Sequence, residues 1–419
     1  MNGRLLTLLA CGTVGALALS ACGSGGATTP GGTVTLELVA ADYGDKAANS
    51  SEVYWGDLAR RFEADHPKIK VHVQVVSWND IDERVKTMIR DGEQPDVVQT
   101  GGYADKVADK LLYRADEVLS GSTLGKILPT FAKAGEVDGV QYGIPFVSSA
   151  RAFFYNKALL AKAGVTEVPR SWEDVRKAAE QIKAKVPGVV PYALPLGPEE
   201  AQAESTLWEL GNGGGIADAG GYTLDSQANI ETFGWLKSNL VAPRLTYAKP
   251  AATDRKTAFA DFAAGRTAML NGHPSLIQQA RDGKVDYGVA PIPGRSGALK
   301  STLGVADWTM AFRKNGHREQ IKQFLDFVYA TENTLAFDEL YNLMPVTQDT
   351  LDAMTTSGTH KDLEPFFALL PQAAFYPLGD TGWDGVSADI KKNVGAALDE
   401  PAKVLGALQA RTKAAAPAK

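Results

Sequence analysis

A change of hydrophobic period and its reversal, within one short stretch, constrain this chain more than any other feature. Over residues 33–40 (TVTLELVA), Val34, Leu36 and Leu38 alternate with Thr35 and Glu37, the period of two that marks a strand. From Glu52 the period lengthens. Trp55, Leu58 with Ala59, and Phe62 recur at helical spacing until His66-Pro67 stops the run. Residues 69–76 (IKVHVQVV) then return to alternation through Ile69, Val71, Val73 and Val75. Strand, helix, strand at this spacing is a βαβ unit, with parallel strands and a right-handed crossover.

The alternation continues down the chain. Asn79 is placed to cap a helix carrying Ile81, Val85 and Met88, which Asp91-Gly92 ends; Pro95 to Val98 then reads as a short buried strand. Strands are expected over 142–146 and 151–155 and a helix over 157–164. Ser171 caps a helix with Glu173 and Asp174 in its first turn, where carboxylates suit the helix dipole. Further helices are expected over 259–264, 321–329 and 332–340, while the glycines of 211–215 and 220–221 mark loops. No repeat of solenoid period interrupts the pattern, so the fold class is α/β. Trp55, Trp172 and Trp235 stand at helix-periodic positions among apolar neighbours and are expected in cores.

Composition narrows the function classes. A chain of 419 residues is long enough for about two or three domains. With 44% hydrophobic and 22% charged residues it is neither collagen, coiled coil, disordered tail nor multi-span membrane protein. Its net charge of −6 repels a phosphate backbone, and no nucleic-acid partner is expected. Phosphate-binding loops, dinucleotide fingerprints, nucleophile elbows and H-E-x-x-H are all absent from the sequence. The 5 histidines are scattered, so neither a metal nor a cofactor is expected. A glycosidase needs only two facing carboxylates, and 49 acidic residues leave that possibility open.

The N-terminus reads as an address. After Arg4, residues 5–19 are apolar but shorter than the roughly 20 residues a spanning helix needs. Leu19-Ser20-Ala21-Cys22, followed by Gly23-Ser24-Gly25-Gly26, resembles the bacterial lipobox, which implies cleavage after residue 21 and diacylglycerol attachment at Cys22. A plain cleavable signal that happens to contain a cysteine is the competing reading. The other cysteine, Cys11, lies in the segment to be removed, so no disulfide is expected. Residues 22–32 then form the acylated cysteine and a flexible tether.

Several stretches together resemble the extracellular solute-binding proteins of sugar ABC importers (family 1, the maltose-binding-protein group). They are LARRFEADHPKIKVHV (58–73), QPDVVQTGG (94–102), VDGVQYGIPFVSSARAFFYNKALLAKAG (137–164) and PRSWEDVRKAAEQI (169–182). FADFAAGRTAMLNG (259–272), DYGVAPIPG (286–294), the helix over 318–335 and MPV (344–346) follow in family order. The resemblance implies a two-lobed periplasmic-binding-protein-like fold with a hinge and an interlobe cleft. It implies crossings near 144–147, 300–303 and 330–333, hence an N-lobe of 33–145 plus 303–330 and a C-lobe of 146–302 plus 331–419. It also implies a lipid-anchored, monomeric, non-enzymatic subunit on the extracytoplasmic face of the cell membrane. Such a subunit captures a carbohydrate and delivers it to ABC permease subunits.

A sugar presents C–H faces and hydroxyls that both donate and accept, so its site needs aromatic platforms beside short polar groups. Such groups are expected at strand ends, where α/β clefts form. Asp42-Tyr43 follows the first strand, with a surface turn as the competing reading. Trp78 and Asp80 follow the second strand and resemble the family's cleft-lining segment; a helix cap and a packing tryptophan are the alternative. Gly102 allows close backbone approach, and Tyr103 either stacks on the ligand or covers the next helix. Phe146 lies at the first crossing. Glu199, Glu204 and Trp208 fall where family members carry ligand contacts, whereas a solvated acidic face fits Glu200 nearly as well. In Asn271-Gly272-His273 the chain departs from the family, since Pro274 stands where a tryptophan is usual. Asp307-Trp308 and Trp383-Asp384 each pair a platform with an acceptor. An exported glycan-acting lipoprotein enzyme using Asp307 and Asp384 is the second reading. A binder of glycerophosphodiesters is the third; it requires a cleft arginine, for which Arg151 and Arg313 are the candidates.

Overall fold

The computed structural model describes residues 32–44, 47–218 and 220–415. The expected signal segment and lipobox, Cys22 and nearly all of the expected tether lie outside the described residues.

The βαβ unit forms as its periods require. Strand β1 (Val34–Asp42) leads to helix α1 (Ser51–Asp65), which returns to β2 (Ile69–Ser77), parallel to β1. Helix α1 starts where Ser50 accepts the amide of Glu52, and it buries Trp55, Leu58, Ala59 and Phe62 as their spacing demands. Strand β2 lies at the sheet edge, so Lys70 and His72 stay exposed between buried Ile69 and Val71. Next come α2 (Ile81–Arg90), β3 (Val97–Thr100) and the short α3 (Ala104–Ala108). The residue at the start of α2 is Asp80 rather than Asn79, and its side chain makes no capping bond. The Asp80 carboxylate instead accepts from Ser77 Oγ at 2.6 Å.

Strand β4 (Ile144–Ala150) belongs to this first sheet, and β5 (Ala152–Asn156) to a second one. The chain therefore changes sheets at Arg151, beyond the boundary expected at 145. The second sheet gains β6 (Val190–Ala193), β7 (Thr267–Gly272) and β8 (Tyr287–Ala290), in the order β8-β5-β7-β6. Around it pack α4 (Trp172–Lys185) and α5 (Ala201–Leu210). Ser171 Oγ accepts the Asp174 amide at 3.2 Å and Asp174 accepts that of Ser171 at 3.0 Å, so the cap read from the sequence is a reciprocal box.

From β8 the chain returns through 291–301 to β9 (Thr302–Ala311), which pairs antiparallel with β3 and with β4. Helices α6 (Arg318–Val328) and α7 (Thr331–Tyr341) follow. Helix α7 was expected in the C-lobe. It packs Phe337 against Trp55 and Phe146 at ring distances of 6.2 and 4.8 Å, in the first core. Strand β10 (Ala373–Ala374) joins β9, and α8 (Trp383–Asn393) packs beside α5. The two crossing segments are bonded together where they pass. The Arg151 amide donates to Thr302 Oγ1 at 3.1 Å, and that hydroxyl donates to the Arg151 carbonyl at 2.5 Å.

Candidate solute-binding cleft

Polar and aromatic side chains converge where the two sheets exchange the chain. On the first side, the turn after β1 presents Tyr43. Its phenol donates to Asp307 Oδ2 at 2.7 Å and accepts from Gln99 Nε2 at 2.9 Å. The same ring packs edge-on against Trp78, 5.3 Å between centroids, and Trp78 is among the few large apolar residues left exposed. Burial pushes the Asp307 carboxyl up to about 6, although the Tyr43 bond and the Arg151 charge oppose the shift. Asp307 sits at a β-bulge where the β9–β4 register shifts.

The loop after β3 brings Gly102 against α8. A Cβ on Gly102 would lie 2.5 Å from Asp384 Oδ1, so a side chain here would force the Asp384 carboxylate aside while the two walls touch. Asp384 also stands 3.8 Å from Lys106 Nζ, and Lys106 is itself 2.7 Å from Asp105. Burial raises the Asp384 carboxyl; Lys106 opposes that and the neighbouring Asp105 and Asp82 reinforce it. Beside Asp384, Trp383 stacks on Tyr376 at 4.9 Å and 26°, and the Tyr376 hydroxyl is buried without a hydrogen-bond partner.

A narrow pocket opens in the second side, lined in part by Arg151, Glu200, Glu204, Arg255, Asn271 and His273. Burial raises Glu200, but Arg151 and Arg255 outweigh it and hold the carboxyl down at about 2. His273, against the Phe259 ring at 4.9 Å, is kept neutral by burial and by the same two cations. Glu204 is buried and pushed up to about 7, while Oε1 accepts from Tyr192, Trp208 and Asn271 at 3.2, 2.9 and 3.3 Å. Asn271 Oδ1 remains buried and unpartnered.

Several sequence candidates have other duties. Trp308 is wholly buried on Tyr103, 5.1 Å between rings, and Tyr103 donates to the Ala134 carbonyl; neither offers a face to a ligand. Phe146 stacks on Trp55 at 5.1 Å and 26° in the first core. Trp208 belongs to an aromatic core with Trp172 and Trp235, at 5.3 and 5.8 Å. Asp42 shapes the turn before α1, accepting from the amides of Gly44 and Ser51. Glu199 accepts from Arg255 and from the Lys256 amide, at 2.6 and 3.0 Å. Arg313 lies away from the cleft, over the Tyr113 ring at 5.3 Å.

The structure brings together Tyr43, Trp78, Gly102 and Asp307 on one side, Trp383 and Asp384 on the wall that Gly102 touches, and Asn271 and His273 in the pocket beside them. Sequence reasoning missed Glu200, Arg255, Gln99 and Tyr376. Arg151 had a signal in its place at the crossing, whereas Arg255 and Tyr376 reach the cleft from segments with no local motif. No group of three or more His, Cys, Asp or Glu residues suited to a metal exists among the described residues. Among the same residues no helix is long and apolar enough to cross a membrane.

Two α/β lobes, exchanging the chain through bonded crossing segments and turning polar and aromatic groups into the space between, define a two-lobed solute-binding protein. The chain belongs to the bacterial extracellular solute-binding protein family, whose model matches residues 47–335. It is 28% identical over 367 residues to a binding protein of Brucella abortus, covering 85% of this chain and 86% of that one. It is 26% identical to the multiple sugar-binding protein of Streptococcus mutans over 299 residues, 65% of this chain and 66% of the other. The fold matches a sugar transporter protein of Arthrobacter chlorophenolicus solved with laminaribiose. The TM-score is 0.78 at 19% identity, covering 91% of this chain and 99% of that one.

Proposed function

We infer that this chain is the substrate-binding subunit of a carbohydrate ABC importer. It captures one saccharide between its lobes without chemical turnover and passes it to the permease. In this reading Cys22 carries the lipid that holds a monomer on the extracytoplasmic face, and confinement to that surface raises its effective concentration at the permease. The lobes move about the crossings at Arg151 and Thr302.

The observation that carries the reading is the pairing of the exposed Trp78, edge-on to Tyr43, with polar groups on both sides of the cleft. A ring platform takes the C–H face of a sugar, while Asp307, Asn271 and the Arg151–Glu200 pair offer acceptors and donors to its hydroxyls. Tyr376 and Asn271 each bury a polar atom without a partner, an arrangement that favours a hydroxyl-rich guest. The multiple sugar-binding relative supports the same cargo class.

The test is thermal unfolding of the chain lacking residues 1–22 against mono- and oligosaccharides. A ligand at about 100 times its Kd adds roughly 2.7 kcal/mol, a visible rise in midpoint. The bound sugar should be recovered intact. Silence across the panel overturns the cargo, and hydrolysis lost on substituting Asp307 or Asp384 overturns binding without turnover.

A further inference from the structure

The cleft's two guanidinium groups are both already engaged. Arg151 is 5% exposed and donates to Glu200 and, at 2.9 Å, to Ser149 Oγ. Arg255 places Nε 2.6 Å from Glu200 Oε2, donates from its other end to Glu199 at 2.6 Å, and lies over the Phe259 ring at 5.0 Å. Two cations thus face two carboxylates in one continuous chain, Arg151–Glu200–Arg255–Glu199. The neighbouring titratable groups add no positive charge. His273 is neutral, and across the cleft Asp307 lies within reach of both Arg151 and Glu200.

This arrangement decides which solutes can enter. Phosphate or carboxylate recognition uses the planar fork of an arginine, two parallel N–H donors to two oxygens. Here Glu200 takes one N–H of Arg151 and neutralises Arg255 from ion-pair distance, the Arg255 Nε making no hydrogen bond, while Ser149 and Glu199 take the remaining prongs. An anionic guest would have to displace it, leaving a carboxylate desolvated and unpaired. A neutral polyol faces no such conflict. It can accept from guanidinium N–H groups that remain unused and donate to free lone pairs of Glu200.

Resting on the saccharide reading, we propose that Glu200 is the specificity-determining residue of this cleft. By holding Arg151 and Arg255 in ion pairs it restricts the cargo to solutes without phosphate, sulfate or carboxylate groups. The third reading of the sequence, a glycerophosphodiester binder with a cleft arginine, finds its arginine here already paired.

The test compares the wild-type full chain with Glu200→Gln by thermal unfolding, using inorganic phosphate and glycerol 3-phosphate as probes. The wild type should show no midpoint shift with either. E200Q releases one net positive charge and should bind both probes about tenfold more tightly than wild type or better, an effect that fades as salt rises. Adding Arg255→Met to E200Q should restore indifference to anions. Should E200Q not fold, Glu200→Ser removes the same carboxylate with a smaller side chain and carries the same expectation. Stabilisation of the wild type by glycerol 3-phosphate overturns the proposal, as does a folded E200Q or E200S with no gain for anions. The saccharide reading fails by a different result, the absence of any wild-type shift with neutral saccharides.

Discussion

Tyr43 and Asp307 are 264 residues apart, yet the phenol of one donates a 2.7 Å hydrogen bond to the carboxylate of the other. The bond ties the turn after β1 to the bulge in β9. It also holds down a carboxyl that burial otherwise raises.

Asp307 accepts a sugar hydroxyl best when ionised, so wild-type affinity should fall as pH drops through about 6. Tyr43→Phe removes the bond that favours ionisation, and the midpoint of this fall should move to higher pH. Calorimetric titration between about pH 5 and 8 measures both midpoints. An unmoved midpoint in the variant would separate Asp307 from the pH dependence.

Tyr376→Phe distinguishes binding from stability. Its hydroxyl is buried and unpartnered, so its loss should leave the unfolding midpoint unchanged or slightly higher. Affinity for the sugar should fall by about 1 kcal/mol, the value of one hydrogen bond that only the ligand satisfies. Equal affinities would mean that the ring alone contacts the ligand.

Trp308→Ala should behave in the opposite way. The indole is fully buried against Tyr103, so truncation should cost about 3–5 kcal/mol in denaturant unfolding. Where the variant still folds, its ligand affinity should stay near that of the wild type. A stable variant with lost binding would return Trp308 to the cleft.

Gly102→Ala places a methyl group into the Asp384 carboxylate and should hold the walls apart. The expected result is a larger radius of gyration by small-angle scattering and affinity weakened by about 1–3 kcal/mol. Asp384→Ala in the same chain should restore the smaller radius. An unaltered radius in the single variant would show that the contact yields without opening.

Glu209 is buried with Oε2 unpartnered, and burial alone pushes its carboxyl up to about 8. The folded chain therefore holds a proton that the unfolded chain has released above about pH 4.3. This contribution is complete at low pH and is lost progressively as pH rises to about 8, the sign opposite to that of a salt-bridged acid. Denaturant titrations at pH 5 and pH 8 should show a smaller difference for Glu209→Gln than for wild type.

Much of this architecture was legible because periodicity is a local property. The βαβ start, the Ser171 cap and the helical tryptophans follow from neighbours a few positions apart, and their burial matches the spacing. The ordered motifs carried the family and therefore the two lobes. The cleft was legible only at strand ends. Tyr43, Gly102 and Asp307 were found there, but Trp308 looked the same in sequence and is buried because the hairpin around Gly135 and Gly143 covers it. Alternation tells that Asp307 and Trp308 face opposite ways, not which way faces solvent. Glu200 was passed over because the two arginines that give it meaning lie 49 and 55 residues away along the chain.

Thr302 shares one hydroxyl between the amide and the carbonyl of Arg151, which carries the β4–β9 pairing one step further, to the place where both segments change sheets. Separate tethers would let each lobe yaw and slide against the other. A pair joined along its length resists those motions and favours a common flexure. In the reading proposed above, closure uses that flexure, and the walls can change their chemistry from one cargo to another while the part that shuts them stays the same.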